Sequence, residues 1–258
     1  MMAGLTFYRM IGLDDKVRPL HKKLDKKMFY DFADLNKKEK DYITKYVERI
    51  ELTYLLTPST INIQPFINEN YHYEGVMFIT IKLREEAKDN HLPVIGEIIQ
   101  GALPNPVVIV FEKQERIQVS TCLKRLNKVD SSQVVLEHFH YTPWIDLHAH
   151  DETVEKFLRA VHITSISFYN FFEFYKEFDL AVQALQQADI TGTFYLIKDE
   201  KQYAKQQQLI AQIQAYEAEI TKWKNKMKKE TQFNRKVEYN MKIQQLTKQM
   251  EQLKQQLQ

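Results

Sequence analysis

The C-terminal sixty residues contain neither glycine nor proline, since the last glycine of the chain is Gly192 and the last proline is Pro143. Apolar residues recur in this segment at alternating spacings of four and three, the pattern of a helical packing seam. The first run is Leu209, Ile213, Tyr216, Ile220, Trp223 and Met227, and the second is Tyr239, Ile243, Leu246, Met250, Leu253 and Leu257. The segment 199–258 is therefore predicted to form a helical tail of the coiled-coil type.

The two apolar runs do not continue one another, because twelve residues separate Met227 from Tyr239. At about 100° per residue, the second stripe lies about 120° around a straight helix from the first. If the chain folds back near Phe233, each seam residue faces one in the other arm, and the residue numbers of each pair sum to 466. An antiparallel hairpin over 200–228 and 235–257, with its tip at 230–234, is favoured over a single helix of about 90 Å.

The remaining residues, 1–198, are long enough for one globular domain of ordinary size. Strand-like segments cluster in the middle of this part, and helical patterns flank them. The order predicts an α+β domain with a mostly antiparallel sheet. The expected helices cover 37–49, 92–103 and a long region 152–187, and the expected strands cover 60–64, 76–83, 107–112, 115–123 and 134–140. Both faces of 76–83 are apolar, so we expect this strand at the centre of the sheet.

The net charge of +2 excludes a strongly basic field over the whole molecule, but the charge is unevenly placed. Residues 199–258 hold twelve Lys/Arg and seven Asp/Glu, which makes the tail +5. Seven of these cations crowd the predicted tip, where Glu230 is the one acid: Lys222, Lys224, Lys226, Lys228, Lys229, Arg235 and Lys236. They form either a solvated helix surface or a patch that contacts the phosphates of nucleic acid.

Cys122 is the only cysteine, so no disulfide framework is possible and a reducing compartment is expected. The first residues lack the pattern of a signal peptide. The apolar stretches are far shorter than the about 20 residues that span a bilayer. The sequence therefore predicts a soluble cytoplasmic protein without a membrane partner.

Histidines and carboxylates are concentrated between residues 138 and 151. His138 and His140 are two apart on a predicted strand and so share a face. Imidazole and carboxylate groups are ligands for zinc and other transition metals. The four histidines of this segment are therefore candidate metal ligands, although strand-end histidines without metal are the more ordinary interpretation: His138, His140, His148 and His150.

The signatures of a restriction-type nuclease and of nucleotide-binding loops are missing from the sequence. A nuclease core of the restriction-enzyme type needs an Asp and a Glu-x-Lys on neighbouring strands to hold Mg²⁺. Lys82 ends a predicted strand, but Thr80 stands where the acid is required. Glycine-rich nucleotide-binding loops are also absent from the sequence, which has six glycines in all. We therefore expect no catalytic residue and no cofactor, and a non-enzymatic role is favoured.

Six segments carry a resemblance to known sequences: Lys26–Tyr30, Val47–Ile50, Leu56–Ile63, Phe78–Leu83, Ala102–Phe111 and Lys229–Asn240. Together they resemble a bacterial family known as domain of unknown function 4391, and they follow its order over nearly the whole chain. The chain departs from the family at Thr80, where members tend to have an acid. The resemblance implies company with DNA methyltransferases and superfamily 2 helicases in restriction or phage-defence loci, and it implies no known catalytic residue.

Three functions remain open from the sequence. The first is a non-catalytic accessory subunit of a bacterial DNA-modification, restriction or phage-defence complex, with a helicase or methyltransferase partner and a tail that contacts the partner or self-associates. The second is a degenerate or metal-dependent nuclease that uses the histidine-rich segment. The third is a direct nucleic-acid binder that uses the basic tip of the tail.

Overall fold

The structure is a computed structural model that describes residues 3–32, 35–129, 133–149, 151–197 and 200–256. The chain divides into two compact units, 1–186 and 187–258. We call the first unit the body and the second the tail unit.

The α+β class predicted from the sequence is confirmed. The helices are α1 (Ala3–Met10), α2 (Lys26–Phe32), α3 (Lys37–Tyr46), α4 (Leu92–Ala102), α5 (Glu152–Ala160), α6 (Phe171–Thr191), α7 (Glu200–Lys229) and α8 (Phe233–Gln255). The strands are β1 (Lys22–Leu24), β2 (Val47–Leu56), β3 (Phe66–Ile67), β4 (His72–Tyr73), β5 (Val76–Leu83), β6 (Val107–Lys113), β7 (Arg116–Leu126), β8 (Val134–Tyr141) and β9 (Ile145–Asp146). None of the described helices is long and apolar enough to cross a membrane.

The main sheet of the body has the strand order β1-β2-β5-β6-β7-β8, and β9 pairs with β7. Strands β5 and β6 are parallel and are joined through α4, whereas the other pairs of this sheet are antiparallel. The central position predicted for β5 is confirmed, because β2 and β6 pair with its two edges. The small pair β3-β4 forms a separate ribbon.

The alternation of β5 gives the sheet two buried faces. Ile79 and Ile81 belong to a core cluster that also contains residues of β2 and β6 and of the helices α2, α3 and α4. Phe78 points to the opposite face, where its ring lies 6.0 Å from that of Tyr8 in α1 and 5.7 Å from that of Phe178 in α6. The body is therefore layered, with helices on both sides of the sheet.

Helix α3 is shorter than the predicted helix 37–49. Its start is as expected, because the Asn36 side chain accepts a hydrogen bond from the backbone N–H of Glu39 and the Glu39 side chain accepts one from that of Asn36. The helix ends at Tyr46, and Val47 begins β2. The prediction was wrong from Val47 onward, since β2 pairs with both β1 and β5 and these ladders outweigh local helical spacing.

Two further predictions need correction. The expected strand 60–64 is a turn region, in which the N–H groups of Thr60 and Ile61 both donate to the carbonyl oxygen of Thr57. The expected helical region 152–187 is two helices, because α5 ends at Ala160 and α6 begins at Phe171. In the connection between them, the N–H of Ile163 donates to the carbonyl oxygen of Ile11 at 2.8 Å.

Lys124, although charged by type, is buried inside the body at 2 % exposure. Its Nζ donates to the carbonyl oxygens of Gln100, Leu103 and Asn105 at 2.7–2.8 Å. These carbonyls lie at and just beyond the C-terminal end of α4, where backbone acceptors lack partners within the helix. Burial lowers the pKa of Lys124 to about 7. Lys124 therefore ties the end of the crossover helix to β7.

Candidate functional site

The tail unit is a helical hairpin, as predicted. Helices α7 and α8 are joined by the short loop Glu230–Gln232, which falls in the predicted tip. Seam residues from both arms form one cluster, in which Ile220, Ile243 and Leu246 are buried. Tyr216, Trp223, Met227 and Met250 pack against it, and the rings of Trp223 and Tyr239 lie 5.4 Å apart.

The remaining seam residues differ in how deeply they lie. Ile213 is fully buried, whereas Leu209 and Leu253 are half-buried. Leu257 lies outside the described residues. Ile210 is buried at 4 % exposure, although the four-three spacing does not include it. Among the described residues of the two arms, the buried side chains are therefore seam residues, apart from Gln206 and Ile210.

The loop between the arms is organised by Glu230. Its carboxylate accepts hydrogen bonds from the backbone N–H groups of Thr231 and Gln232 at 2.9 and 3.0 Å. These bonds lower the pKa of Glu230, and Arg235 lies 3.8 Å from the second carboxylate oxygen. The one acid at the tip is therefore occupied by backbone amides at the start of α8 and by Arg235.

All seven predicted phosphate-binding candidates are exposed, but the hairpin does not place them on one surface. Lys222, Lys226 and Lys229 line a shallow hollow of about 460 Å³ on α7, together with Ala218, Thr221 and Asn225. Lys224 and Lys228 do not line it, and Arg235 and Lys236 belong to α8. The Nζ of Lys226 also lies 4.4 Å from the ring centroid of Trp223. We call the set Lys222, Lys226 and Lys229 the lysine face.

The hairpin carries an apolar surface that the sequence reasoning missed. Phe233, Val237 and Met241 are 77 %, 44 % and 66 % exposed. They are four residues apart on α8, so they share one side of the helix, about 150° from the seam. We call these three residues the apolar stripe. The i, i+4, i+8 spacing of these residues is present in the sequence, but only the longer and more regular pattern of the seam was used for prediction.

The histidine candidates of the body have separate local roles. His140 Nδ1 lies 2.9 Å from the carboxylate of buried Asp179, which also accepts a 2.5 Å hydrogen bond from the Thr121 hydroxyl. His138 and His148 are exposed, and the N–H of His148 donates to Asp146. His150 lies outside the described residues. Among the residues that are described, no group of three His, Cys, Asp or Glu side chains could hold a metal ion.

The strand β5 region, where a nuclease would place its Glu-x-Lys, contains a hydroxyl network. The Thr80 hydroxyl lies 2.9 Å from that of Tyr8 and 2.7 Å from that of Thr53. The Lys82 Nζ donates to Glu48 at 2.9 Å. Thr80, a neutral residue, therefore stands at the position where a nuclease would have a metal-binding acid, and its hydroxyl contacts other hydroxyl groups of the body.

Glu112 is an acid near this position that sequence reasoning missed. It is opposite Lys82 in the parallel β5–β6 register and only 4 % exposed. Its carboxylate accepts a hydrogen bond from the N–H of Gly4, and burial raises its pKa. Adjacency between strands separated by α4 is not readable from local spacing, so no sequence signal pointed to it.

A groove of about 850 Å³ lies between α4 and the start of the edge strand β8. Its apolar lining comes from α2, α4 and the start of β8, and Glu39 and Glu97 lie at it. The lining residues include Met28, Val94, Ile98, Leu103, Val134 and Leu136.

The fold and these surfaces define an α+β protein with a C-terminal helical hairpin. The family model for the domain of unknown function DUF4391 matches residues 19–250, and the chain belongs to this family. No curated protein and no solved structure matches the chain.

Proposed function

We propose that this protein is a non-catalytic accessory subunit of a bacterial DNA-modification, restriction or phage-defence complex. In this proposal its hairpin docks on the helicase or methyltransferase subunit of the complex. The observation that carries the proposal is the apolar stripe, which leaves three adjacent apolar side chains of α8 in solvent. The type of complex is inferred from the family resemblance, which implies company with DNA methyltransferases and helicases.

The chemistry of the stripe favours a protein partner. Large apolar side chains that share one exposed helix face are typical of interaction sites, and aromatic anchors contribute most to such contacts. Lys248 is exposed and lies at about the same angle on α8 as Val237, and exposed Lys236 lies about 60° from Phe233. The partner surface is therefore expected to combine apolar pockets with acidic side chains.

The metal-dependent nuclease is the less favoured function. Thr80 occupies the acid position before Lys82, and its hydroxyl is within hydrogen-bonding distance of those of Tyr8 and Thr53. The Nδ1 atom of His140 lies 2.9 Å from the Asp179 carboxylate. These arrangements support structural roles for the residues that a nuclease would use for metal binding.

Co-expression with the helicase or methyltransferase subunit encoded in the same locus tests the proposal. We expect the subunit to co-purify with the wild-type chain, and Phe233→Ser/Val237→Ser/Met241→Ser to reduce the recovered complex by about tenfold or more. Gln245→Ser/Gln249→Ser/Gln252→Ser, which changes three exposed polar positions of the same helix, is the matched control. Unchanged recovery of the complex with the apolar-stripe variant would refute docking through this surface.

A nuclease assay tests the proposed absence of catalytic activity. The purified chain is expected to leave plasmid and linear DNA intact with Mg²⁺, Mn²⁺ or Zn²⁺. Divalent-dependent cleavage that disappears in Lys82→Ala, His138→Ala or His148→Ala would instead establish the enzyme and overturn the non-catalytic role.

A further inference from the structure

We infer that the lysine face of α7 binds the phosphodiester backbone of nucleic acid. Lys222, Lys226 and Lys229 line one hollow and are spaced i, i+4 and i+7, so they share one side of the helix. Their Cα atoms span about 10.5 Å along the axis, which matches about three nucleotides of one strand in duplex DNA. This inference concerns α7 and is independent of the apolar stripe on α8.

The carboxylates near the lysine face contact other groups. Glu217 lies 3.4 Å from the Nζ of Lys254 across the hairpin. Glu219 accepts a hydrogen bond from the indole N–H of Trp223 at 3.3 Å. Glu230 is occupied by the loop amides and by Arg235. Each of these three acids is thus directed to another group, and among the described residues no ion pair involves Lys222, Lys226 or Lys229.

The other residues of the hollow favour phosphate over a protein surface or a lipid bilayer. Ala218, Thr221 and Asn225 complete the lining, so the hollow contains no large apolar side chain. Protein interfaces have apolar or aromatic cores and are depleted in lysine. Helices that lie on membranes insert an apolar face beside their basic one. Lysine and asparagine side chains, in contrast, are regular partners of backbone phosphates.

The hairpin also separates the lysine face from the other basic residues of the tip. By helical angle, Lys224 and Lys228 lie about 100–160° around α7 from Lys222 and Lys229. Arg235 is close to Glu230. Three cations rather than seven can therefore meet one nucleic-acid backbone together. Three contacts predict a slope of log K against log salt of about −2.7 on duplex DNA and about −2.1 on single strands.

Fluorescence anisotropy of a labelled duplex of about 20 bp with the full chain tests this inference, beginning at about 50 mM salt. Lys222→Glu/Lys229→Glu is compared with Lys224→Glu/Lys228→Glu, which makes the same charge change on the same two turns of α7. The wild-type slope is expected near −2.7. We expect the first variant to weaken binding tenfold or more and the second to change it less than threefold.

Three outcomes would overturn the inference: equal losses in the two variants, no binding by the wild-type chain at low salt, or equal binding to polyglutamate or to phosphatidylserine vesicles. Circular dichroism checks that both variants retain the hairpin. If the reversals unfold it, Lys222→Gln/Lys229→Gln should reduce the magnitude of the slope by about 1.8, and Lys224→Gln/Lys228→Gln should leave it unchanged. The apolar-stripe variant should bind DNA like the wild type, so failure of partner docking and failure of phosphate binding are distinguishable.

Discussion

The ammonium group of Lys124 lies 2.8 Å from the carbonyl oxygen of Gln100 and so connects β7 to the last turn of α4. Two more carbonyls, from Leu103 and Asn105, accept from the same nitrogen. Replacing Lys124 by methionine keeps the volume of the side chain but leaves these acceptors without their donor. We expect Lys124→Met to lower the free energy of unfolding by about 1–3 kcal/mol at neutral pH, measured by urea denaturation. Exposed Lys128→Met is the control and should cost less than about 0.5 kcal/mol.

The same lysine gives a pH dependence of defined sign. Burial lowers its pKa to about 7 in the folded chain, from the ordinary lysine value of 10.5. Between these values the unfolded chain binds the extra proton, so the folded state gains stability as the pH rises. The difference between the wild type and Lys124→Met should therefore grow by about 1–3 kcal/mol between pH 7 and pH 9.5. A difference that is constant over this range would show that Lys124 stays fully charged in the body.

Glu112 should give a dependence in the acid range. Burial raises its pKa above the ordinary glutamate value of 4.5. Between 4.5 and this raised pKa the folded chain binds more protons than the unfolded chain, so this group stabilises the fold as the pH falls. We expect the wild type to gain stability relative to Glu112→Gln as the pH is lowered toward 4.5. The exposed control Glu115→Gln should follow the wild type, and a Glu112→Gln curve parallel to it would contradict the prediction.

Asp179 is expected to contribute more to the free energy of unfolding than the exposed histidine His138 does, and the histidines are not expected to bind zinc. The Asp179 carboxylate accepts a hydrogen bond from Thr121 and lies beside His140, so Asp179→Ala removes this partner from the buried Thr121 hydroxyl and from the half-buried His140 ring. We expect a loss of about 2–3 kcal/mol, against less than about 0.5 kcal/mol for exposed His138→Ala. Zinc should not raise the Tm of the wild type. A zinc-dependent increase that His138→Ala removes would instead indicate a metal site.

How much of the fold could be predicted depends on whether local spacing or distant pairing decides each element. The hairpin was predictable because its signals are local: twelve regularly spaced apolar residues and the phase break between their two runs all lie within sixty residues. The start of α3 was predictable because Asn36 and Asp34 are both residue types that cap helices, whereas its end was not, because Tyr46, Val47 and Ile50 fit a helix face as well as a strand. The ladders to β1 and β5 settle that choice, and they involve residues far away in the sequence.

The candidate sites show the same division. The sequence identified the seven basic residues, and the structure adds that Lys222, Lys226 and Lys229 line one hollow that Lys224 and Lys228 do not line. The predicted helix over 200–228 already spreads its lysines around the axis at about 100° per residue, so part of this separation was predictable from the sequence. Glu112 could not have been found, because its place beside Lys82 depends on the crossover through α4.

A distance measurement in solution can check the hairpin directly. Ala215 and Gln249 are both exposed and lie near the middle of opposite arms. Spin labels on cysteines at these positions are expected to be less than about 25 Å apart, since packed helices lie 8–10 Å from axis to axis. A single straight helix would separate them by about 51 Å, because 34 residues rise 1.5 Å each. Labels at Ala215 and Asn225, within one helix, should give about 15 Å in either case.

Two apolar residues of α8 should respond oppositely to the same truncation. Leu246 is 3 % exposed in the seam, whereas Met241 is 66 % exposed in the apolar stripe. Leu246→Ala removes packed atoms and should destabilise the hairpin by about 2–4 kcal/mol, seen as faster hydrogen exchange in α7 and α8. Met241→Ala should leave exchange unchanged but weaken recovery of the partner subunit in the co-expression experiment. If Met241→Ala instead accelerates exchange as much as Leu246→Ala does, the stripe belongs to the packing of the hairpin, and its exposure no longer supports a docking surface.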